Sequence, residues 1–145
     1  MDDTVTTLVT RAANSEVSTW LSTALPLLAL RCQAAHFDVL IHADTSFDLD
    51  TILDEEVFVQ ARWGQEQAGV IRMNLVGSTN EIAAFKDPID ILRQLVSHDQ
   101  MTFGFKPFNA NEVATTFNLT GLRNVIQPLL AACGISPVGI GISST

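Results

Sequence analysis

The clearest pattern along this chain is the alternation of apolar and polar residues over short runs, which is typical of strands with one buried face. In 36–43, for example, Phe37, Val39 and Ile41 share one face, and the polar His36, Asp38 and His42 lie on the other. The runs that alternate, or that form a short apolar stretch between turn residues, are 4–9, 27–32, 36–43, 57–63, 70–76, 82–85, 101–108 and 113–119. The pattern therefore predicts about seven or eight strands, many of them joined as hairpins.

Two later segments carry apolar residues at the spacing of a helix. The first begins at Asp87 and Pro88, which are a favourable N-cap and first helical residue. The second is expected to begin at Thr120, as its cap, and to end at Gly134. Pro128 lies within the second segment, so we expect it to kink or divide that helix.

Hairpin spacing together with two late helices favours a mainly β fold with two short helices, of the α+β class. The chain of 145 residues is long enough for one domain with a substantial core. We expect a single antiparallel β-sandwich-like domain over 1–134, followed by a C-terminal tail or edge strand over 135–145. Residues 44–56 hold six acidic side chains and are expected to form an exposed loop with room for one helical turn.

The charge pattern argues against nucleic acid as a partner and against membrane insertion. The formal net charge is −8, and the lysines and arginines occur singly, so binding through phosphate neutralisation is not expected. The most apolar stretch, 21–30, is far too short to span a bilayer. It contains Pro26 and lacks the preceding positive charge of an export leader, so we expect a buried strand there.

A series of short motifs follows in a distinctive order. An Arg-Cys pair ends an early strand, a later strand ends in Arg-Trp, and a Phe lies shortly before the Pro that opens a short helix. Another strand runs into Pro-Phe, and a Phe-Asn-Leu-Thr-Gly-Leu segment leads into a final helix with a cysteine. These motifs are Arg31-Cys32, Arg62-Trp63, 85–88, Pro107-Phe108, 117–122 and Cys133. Over roughly 28–134, this order resembles the VasI family of type VI secretion-associated accessory proteins.

The resemblance implies an exported β-rich domain in which Cys32 and Cys133 form a disulfide and no catalytic residue is established. It also implies an accessory role in a type VI secretion or cell-envelope complex, and a periplasmic or otherwise exported location. The residues differ from the family pattern at Asn118, where an Asp is usual, and after Cys133, where a Trp is usual. The sequence alone leaves open two reduced core cysteines and a cytoplasmic location.

Several residues have the composition of a reactive site without a suitable spacing. Residues 97–99 are Ser, His and Asp, but neighbours at one helix end point apart and cannot form a bonded triad. His36 and His42 share a strand face, and would need further metal ligands from a neighbouring strand. The acidic run 44–56 lacks the Asp spacing and the glycine of a calcium loop. We therefore predict no catalytic residue, no cofactor and no metal site.

Three phenylalanines form the predicted interaction surface. Phe47 and Phe108 lie in expected loops, and Phe58 points away from the apolar face of its strand. Exposed aromatic side chains of this kind mark partner surfaces, although a second core layer is the alternative. We expect a non-enzymatic exported accessory or interaction domain that binds a protein partner or associates with itself. The alternatives are a phage or virus structural or accessory domain of the same fold, and a hydrolase with an unrecognised site.

Overall fold

Antiparallel strands make up most of the molecule, as the alternating pattern predicts. The coordinates are a computed structural model that describes residues 5–142. Within this range the strands are β1 Thr6–Ala12, β2 Val17–Ser18, β3 Thr23–Ala24, β4 Leu27–Gln33, β5 His36–His42, β6 Ile52–Leu53, β7 Glu56–Trp63, β8 Gly69–Val76, β9 Ile82–Ala84, β10 Gln100–Phe105 and β11 Val113–Asn118. The helices are α1 Pro88–Ser97, α2 Leu122–Val125 and α3 Gln127–Cys133, with single 3-10 turns at Leu49–Thr51 and Val138–Ile140.

Nine strands of the described chain belong to one sheet. Its order is β1-β4-β5-β9-β8-β7-β10-β11, with the short β6 added to β7, while β2 and β3 form a separate hairpin. Every paired set of strands in residues 5–142 is antiparallel. The mainly β, α+β fold predicted from the sequence is therefore confirmed.

The sheet curls so that its first and last strands approach each other. The backbone N–H of Asn14, just after β1, donates to the carbonyl of Thr116 in β11 over 2.8 Å. The Asn14 side-chain amide donates to the Thr116 hydroxyl over 3.0 Å, and the Thr115 hydroxyl donates to the carbonyl of Ser15 over 3.0 Å. The curl gives the sheet a concave face, and the residues of that face form one apolar core with the helices.

The helices pack against the first strands of the sheet. Helix α1 lies against β5, and α3 lies against β1 and β4. The inward side chains of β4 and those of α3, among them Leu30 and Leu129, are buried in the same core. At the end of this contact, Cys32 and Cys133 are disulfide-bonded with their Cα atoms 5.8 Å apart. The pairing that the family resemblance implies is therefore present.

The helix ends follow local sequence signals with one exception. The Asp87 carboxylate accepts a hydrogen bond from the backbone N–H of Asp90, as expected for an N-cap. The last helix is divided near Pro128 and ends at Gly134, as predicted. Thr120 is not its cap, because Gly121 adopts a left-handed conformation with φ 78° and the helix begins one residue later.

Two expectations about irregular segments are wrong. The segment 44–56 is not a wholly exposed loop, because Phe47 and Asp48 are buried within it. Residues 135–142 form neither a tail nor an edge strand, since Ile140 and Ile142 are buried against the core. Here Arg93 of α1 donates to the carbonyl of Gly139 over 3.1 Å, so this segment packs beside α1. The final residues, 143–145, lie outside the described chain.

We expect Leu129→Ala to lower the free energy of unfolding by about 2–4 kcal/mol, because the buried side chain would leave an unfilled core site. Urea denaturation measures this change. The control is Val125→Ala in the neighbouring α2, whose side chain is 46% exposed and whose loss should change the free energy by less than about 0.5 kcal/mol. Equal effects of the two substitutions would contradict the packing of α3 in the core.

Candidate functional site

The three phenylalanines expected on an interaction surface do not lie together. Phe47 is 1% exposed and packs edge-to-face on Phe105, with ring centroids 5.5 Å apart. It is buried because its backbone pairs with Asn80 and with Pro107, which hold this part of the loop against the core. Phe47 is therefore excluded from the surface, whereas Phe58 and Phe108 are partly exposed and line two different recesses.

Phe108 contributes to an exposed apolar cluster that the sequence pattern did not indicate. Its ring meets Trp20 edge-to-face, with the centroids 5.8 Å apart. Trp20 is 56% exposed, and Leu21 beside it is 82% exposed. We call Trp20, Leu21 and Phe108 the aromatic tip. Its members come from the turn of the β2–β3 hairpin and from the loop between β10 and β11.

Backbone hydrogen bonds position the aromatic tip without burying it. In the hairpin turn, Thr19 N–H donates to the Ser22 carbonyl over 2.9 Å, and Ser22 N–H donates to the Thr19 hydroxyl over 3.1 Å. In the other loop, Phe108 N–H donates to the carbonyl of Ser46 over 2.8 Å. Because both loops are tied in this way, the two rings meet at a fixed place at the molecular surface.

A carboxylate lies beside the aromatic tip. Asp50 and Phe108 line the same surface recess of about 500 Å³. The neighbouring Lys106 is engaged by Asp48, and this hydrogen bond lowers the pKa of Asp48 and raises the pKa of Lys106. The exposed charge beside the tip is therefore mainly negative.

Phe58 lies on the outer face of the sheet and is not a member of the aromatic tip. The Arg72 guanidinium lies over its ring, 5.3 Å from the centroid. Beside Phe58 a groove of about 370 Å³ crosses strands β8, β7, β10 and β11. Its floor is one row of cross-strand neighbours: Val70, Gln60, Gly104 and Ala114. We call this feature the sheet groove. It is concave because Gly104 and Ala114 carry little or no side chain.

Ser97 and His98, two of the three residues with the composition of a triad, make structural contacts. His98 Nε2 lies 2.7 Å from a carboxylate oxygen of Glu66, and Nδ1 lies 2.9 Å from the carbonyl oxygen of Gln94. The ring also lies beside that of Trp63, with centroids 5.9 Å apart and the planes inclined by 34°. The Ser97 hydroxyl donates to the backbone carbonyl of Arg93. His98 therefore ties the end of α1 to the turn after β7, a contact for which the sequence offers no signal.

The strand histidines do not gather a metal site within residues 5–142. His36 Nε2 lies 3.2 Å from a carboxylate oxygen of Asp38. Arg31 donates to the other carboxylate oxygen over 2.8 Å, so Asp38 is already engaged in an ion pair. Cys32 and Cys133 have no free thiol because they are bonded to each other.

The contacts of His98 predict a pH-dependent stability. Both ring nitrogens face acceptors, and the hydrogen bond to the Gln94 carbonyl, followed by that to Glu66, raises the pKa of His98 against the effect of burial. The nearby Asp99 carboxylate acts in the same direction. A raised pKa means that protonation favours the folded state. This stabilisation is complete below the unfolded value of about 6.5, and it is lost as the pH rises through the folded value.

We expect the difference in unfolding free energy between wild type and His98→Gln to be largest below about pH 6.5 and to shrink as the pH rises above that value. Urea denaturation at several pH values measures it. The control is His36→Gln, because the His36 side chain is 77% exposed. A difference between wild type and the His98 variant that stays constant with pH would show that the protonated ring contributes nothing to folding.

None of the helices in residues 5–142 combines the length and apolar character needed to cross a membrane. Comparisons of the chain with protein-family models, with curated proteins and with solved structures found no significant match. The resemblance to the VasI family therefore stays a prediction drawn from the sequence motifs.

Proposed function

We propose that this chain is a non-enzymatic interaction domain that works in an exported location, as an accessory of a type VI secretion or cell-envelope complex. The Cys32–Cys133 bond supports an oxidising compartment, since disulfides persist there and are rare in the cytosol. The order of the sequence motifs supports the secretion-associated role. The engagement of His98, Ser97 and both cysteines in structural contacts supports a role other than catalysis.

The observation that carries the proposal is the aromatic tip. Aromatic side chains supply much of the binding energy of protein interfaces, because they bury a large area at a low cost in conformational entropy. Trp20 and Phe108 already hold each other in place, so little further ordering is needed on binding. The partner surface that fits is an apolar pocket with a cationic group at its rim, opposite Asp50.

Genetic complementation in the source cell tests both parts of the proposal. We expect deletion of the gene to lower the amount of type VI tube protein in the medium, and wild type to restore it. A Trp20→Ser, Phe108→Ser variant should fail to restore secretion, because the tip anchors the partner. The matched control is Val138→Ser, which removes another exposed apolar side chain (64% exposed) on a different part of the molecule.

The outcomes of this experiment separate the two claims. Secretion that is unchanged by the deletion contradicts the accessory role. Full restoration by the folded tip variant contradicts the role of the aromatic tip. Sedimentation of the purified protein completes the test: a dimer that the tip variant dissociates identifies a second copy of this chain as the occupant of the tip.

The exported location predicts the redox state of the native protein. Protein recovered from its source cell under thiol-blocking conditions should carry no blocked cysteine, and its mass should be about 2 Da below that of the reduced form because two hydrogens are lost. Intact-mass spectrometry makes the measurement, and protein reduced before blocking is the control. Blocked thiols on both Cys32 and Cys133 in the native protein would count against export.

A further inference from the structure

Arg62 differs from the other cationic residues of this chain in having no partner among residues 5–142. Each of the other lysines and arginines makes an ion pair or a hydrogen bond through its charged group; these are Arg11, Arg31, Arg72, Lys86, Arg93, Lys106 and Arg123. The Nε of Arg62 is also buried without a hydrogen-bond partner. A buried donor without a partner is unfavourable, so its position calls for a physical reason.

A second unpartnered polar group lies directly opposite Arg62. Thr102 of β10 is the cross-strand neighbour of Arg62 in β7, and its hydroxyl is likewise buried without a hydrogen-bond partner in the described chain. Side chains in such a pair project from the same face, with Cβ atoms about 5 Å apart. The other buried atoms of this kind belong to Arg31 and Glu56, and both of those side chains have ion-pair partners.

The two groups line a recess that joins the sheet groove. The recess has a volume of about 230 Å³, and it shares Gln60, Gly104 and Ala114 with the groove. A Cβ atom at Gly104 would lie 3.5 Å from the Gln60 Cβ and 3.6 Å from the Val113 carbonyl oxygen, so a larger side chain there would occupy the space. The outer face of the sheet thus presents an apolar channel with a cation and a hydroxyl at one end.

We propose that Arg62 and Thr102 bind a carboxylate of a partner peptide whose apolar side chains lie along the sheet groove. The guanidinium presents several N–H donors in one plane, which matches the two oxygens of a carboxylate, and the hydroxyl supplies one more donor. The carboxylate would pair with the terminal N–H groups of the guanidinium, which make no hydrogen bond within residues 5–142, and the Thr102 side chain lies on the same face beside them. Glu112 and Lys106 line the opposite part of the groove, where Lys106 is already paired with Asp48, so Arg62 is the cation left for the peptide carboxylate among the described residues that line the groove and the recess. This site lies apart from the aromatic tip and does not rest on the proposed function.

Three synthetic peptides test the proposal by NMR titration of the isotope-labelled full chain. The first is acetyl-Ala-Phe-Ala-Leu with a free terminal carboxylate, the second is the same peptide with an amidated terminus, and the third is acetyl-Ala-Phe-Ala-Asp-amide. We expect the carboxylate peptides to shift the amide signals of Arg62, Thr102 and Gly104, and the uncharged peptide to bind at least about tenfold more weakly. The peptide that binds more tightly tells whether a chain terminus or an acidic side chain is the natural source.

Variants separate recognition from folding. Arg62→Gln should raise the dissociation constant about tenfold, and Arg62→Lys should raise it less because the charge remains. Gly104→Val should block the recess while leaving Arg62 in place. The charge-matched control is Arg93→Gln, since Arg93 lies on α1 and pairs with Asp90. Thermal denaturation of each variant confirms that it is folded.

Several results would overturn the proposal. The amidated peptide could bind as tightly as the carboxylate peptides, or Arg62→Gln could leave the dissociation constant unchanged while remaining folded. Inorganic phosphate, titrated alone, could bind more tightly than every peptide, which would reduce the site to one for small anions. If Arg62 has only a structural role, Arg62→Gln will change the melting temperature, and the peptides will not shift the amide signals of the wild type.

Discussion

The fold depends on the attachment of its last helix to its early strands. Helix α3 buries Leu129 and Leu130 against the concave face of the sheet, and the Cys32–Cys133 bond fixes the end of this contact. In the chain-entropy model a loop of this length stabilises the folded state by about 4–5 kcal/mol, which is an upper value. With α3 in place the first strands have a covered inner face, so the sheet can curl until Asn14 meets β11.

Local patterns predicted the elements whose environment repeats along the chain. In β5 and β7 every second residue faces the same core, so alternation alone was enough to find them. The cap at Asp87 and the division at Pro128 follow from the stereochemistry of single residues. The disulfide was implied by the motif order rather than by any local pattern, because two cysteines so far apart in sequence carry no information about their contact.

Contacts between segments that are distant in the sequence determine the features that local patterns did not predict. Phe47 lies in an acidic stretch that looks exposed, but pairing with Asn80 and Pro107 draws it into the core. Trp20 lies in a hairpin of two-residue strands, too short to show a period, and its partner Phe108 is far away in sequence. Arg62 gave no signal as a binding residue, because the absence of an acidic neighbour can be seen only when the strands are paired.

The covalent ring closed by Cys32 and Cys133 also restricts how this protein can be handled mechanically. With the bond intact, force on the two termini can extend only the residues before Cys32 and after Cys133. The residues between these two cysteines, which are 101 positions apart, stay within the ring. An unfolding enzyme that pulls the chain from one end must stop at the disulfide or translocate two segments of the chain side by side. Any passage of the chain through a narrow pore as one extended strand must therefore come before the sulfur atoms are joined.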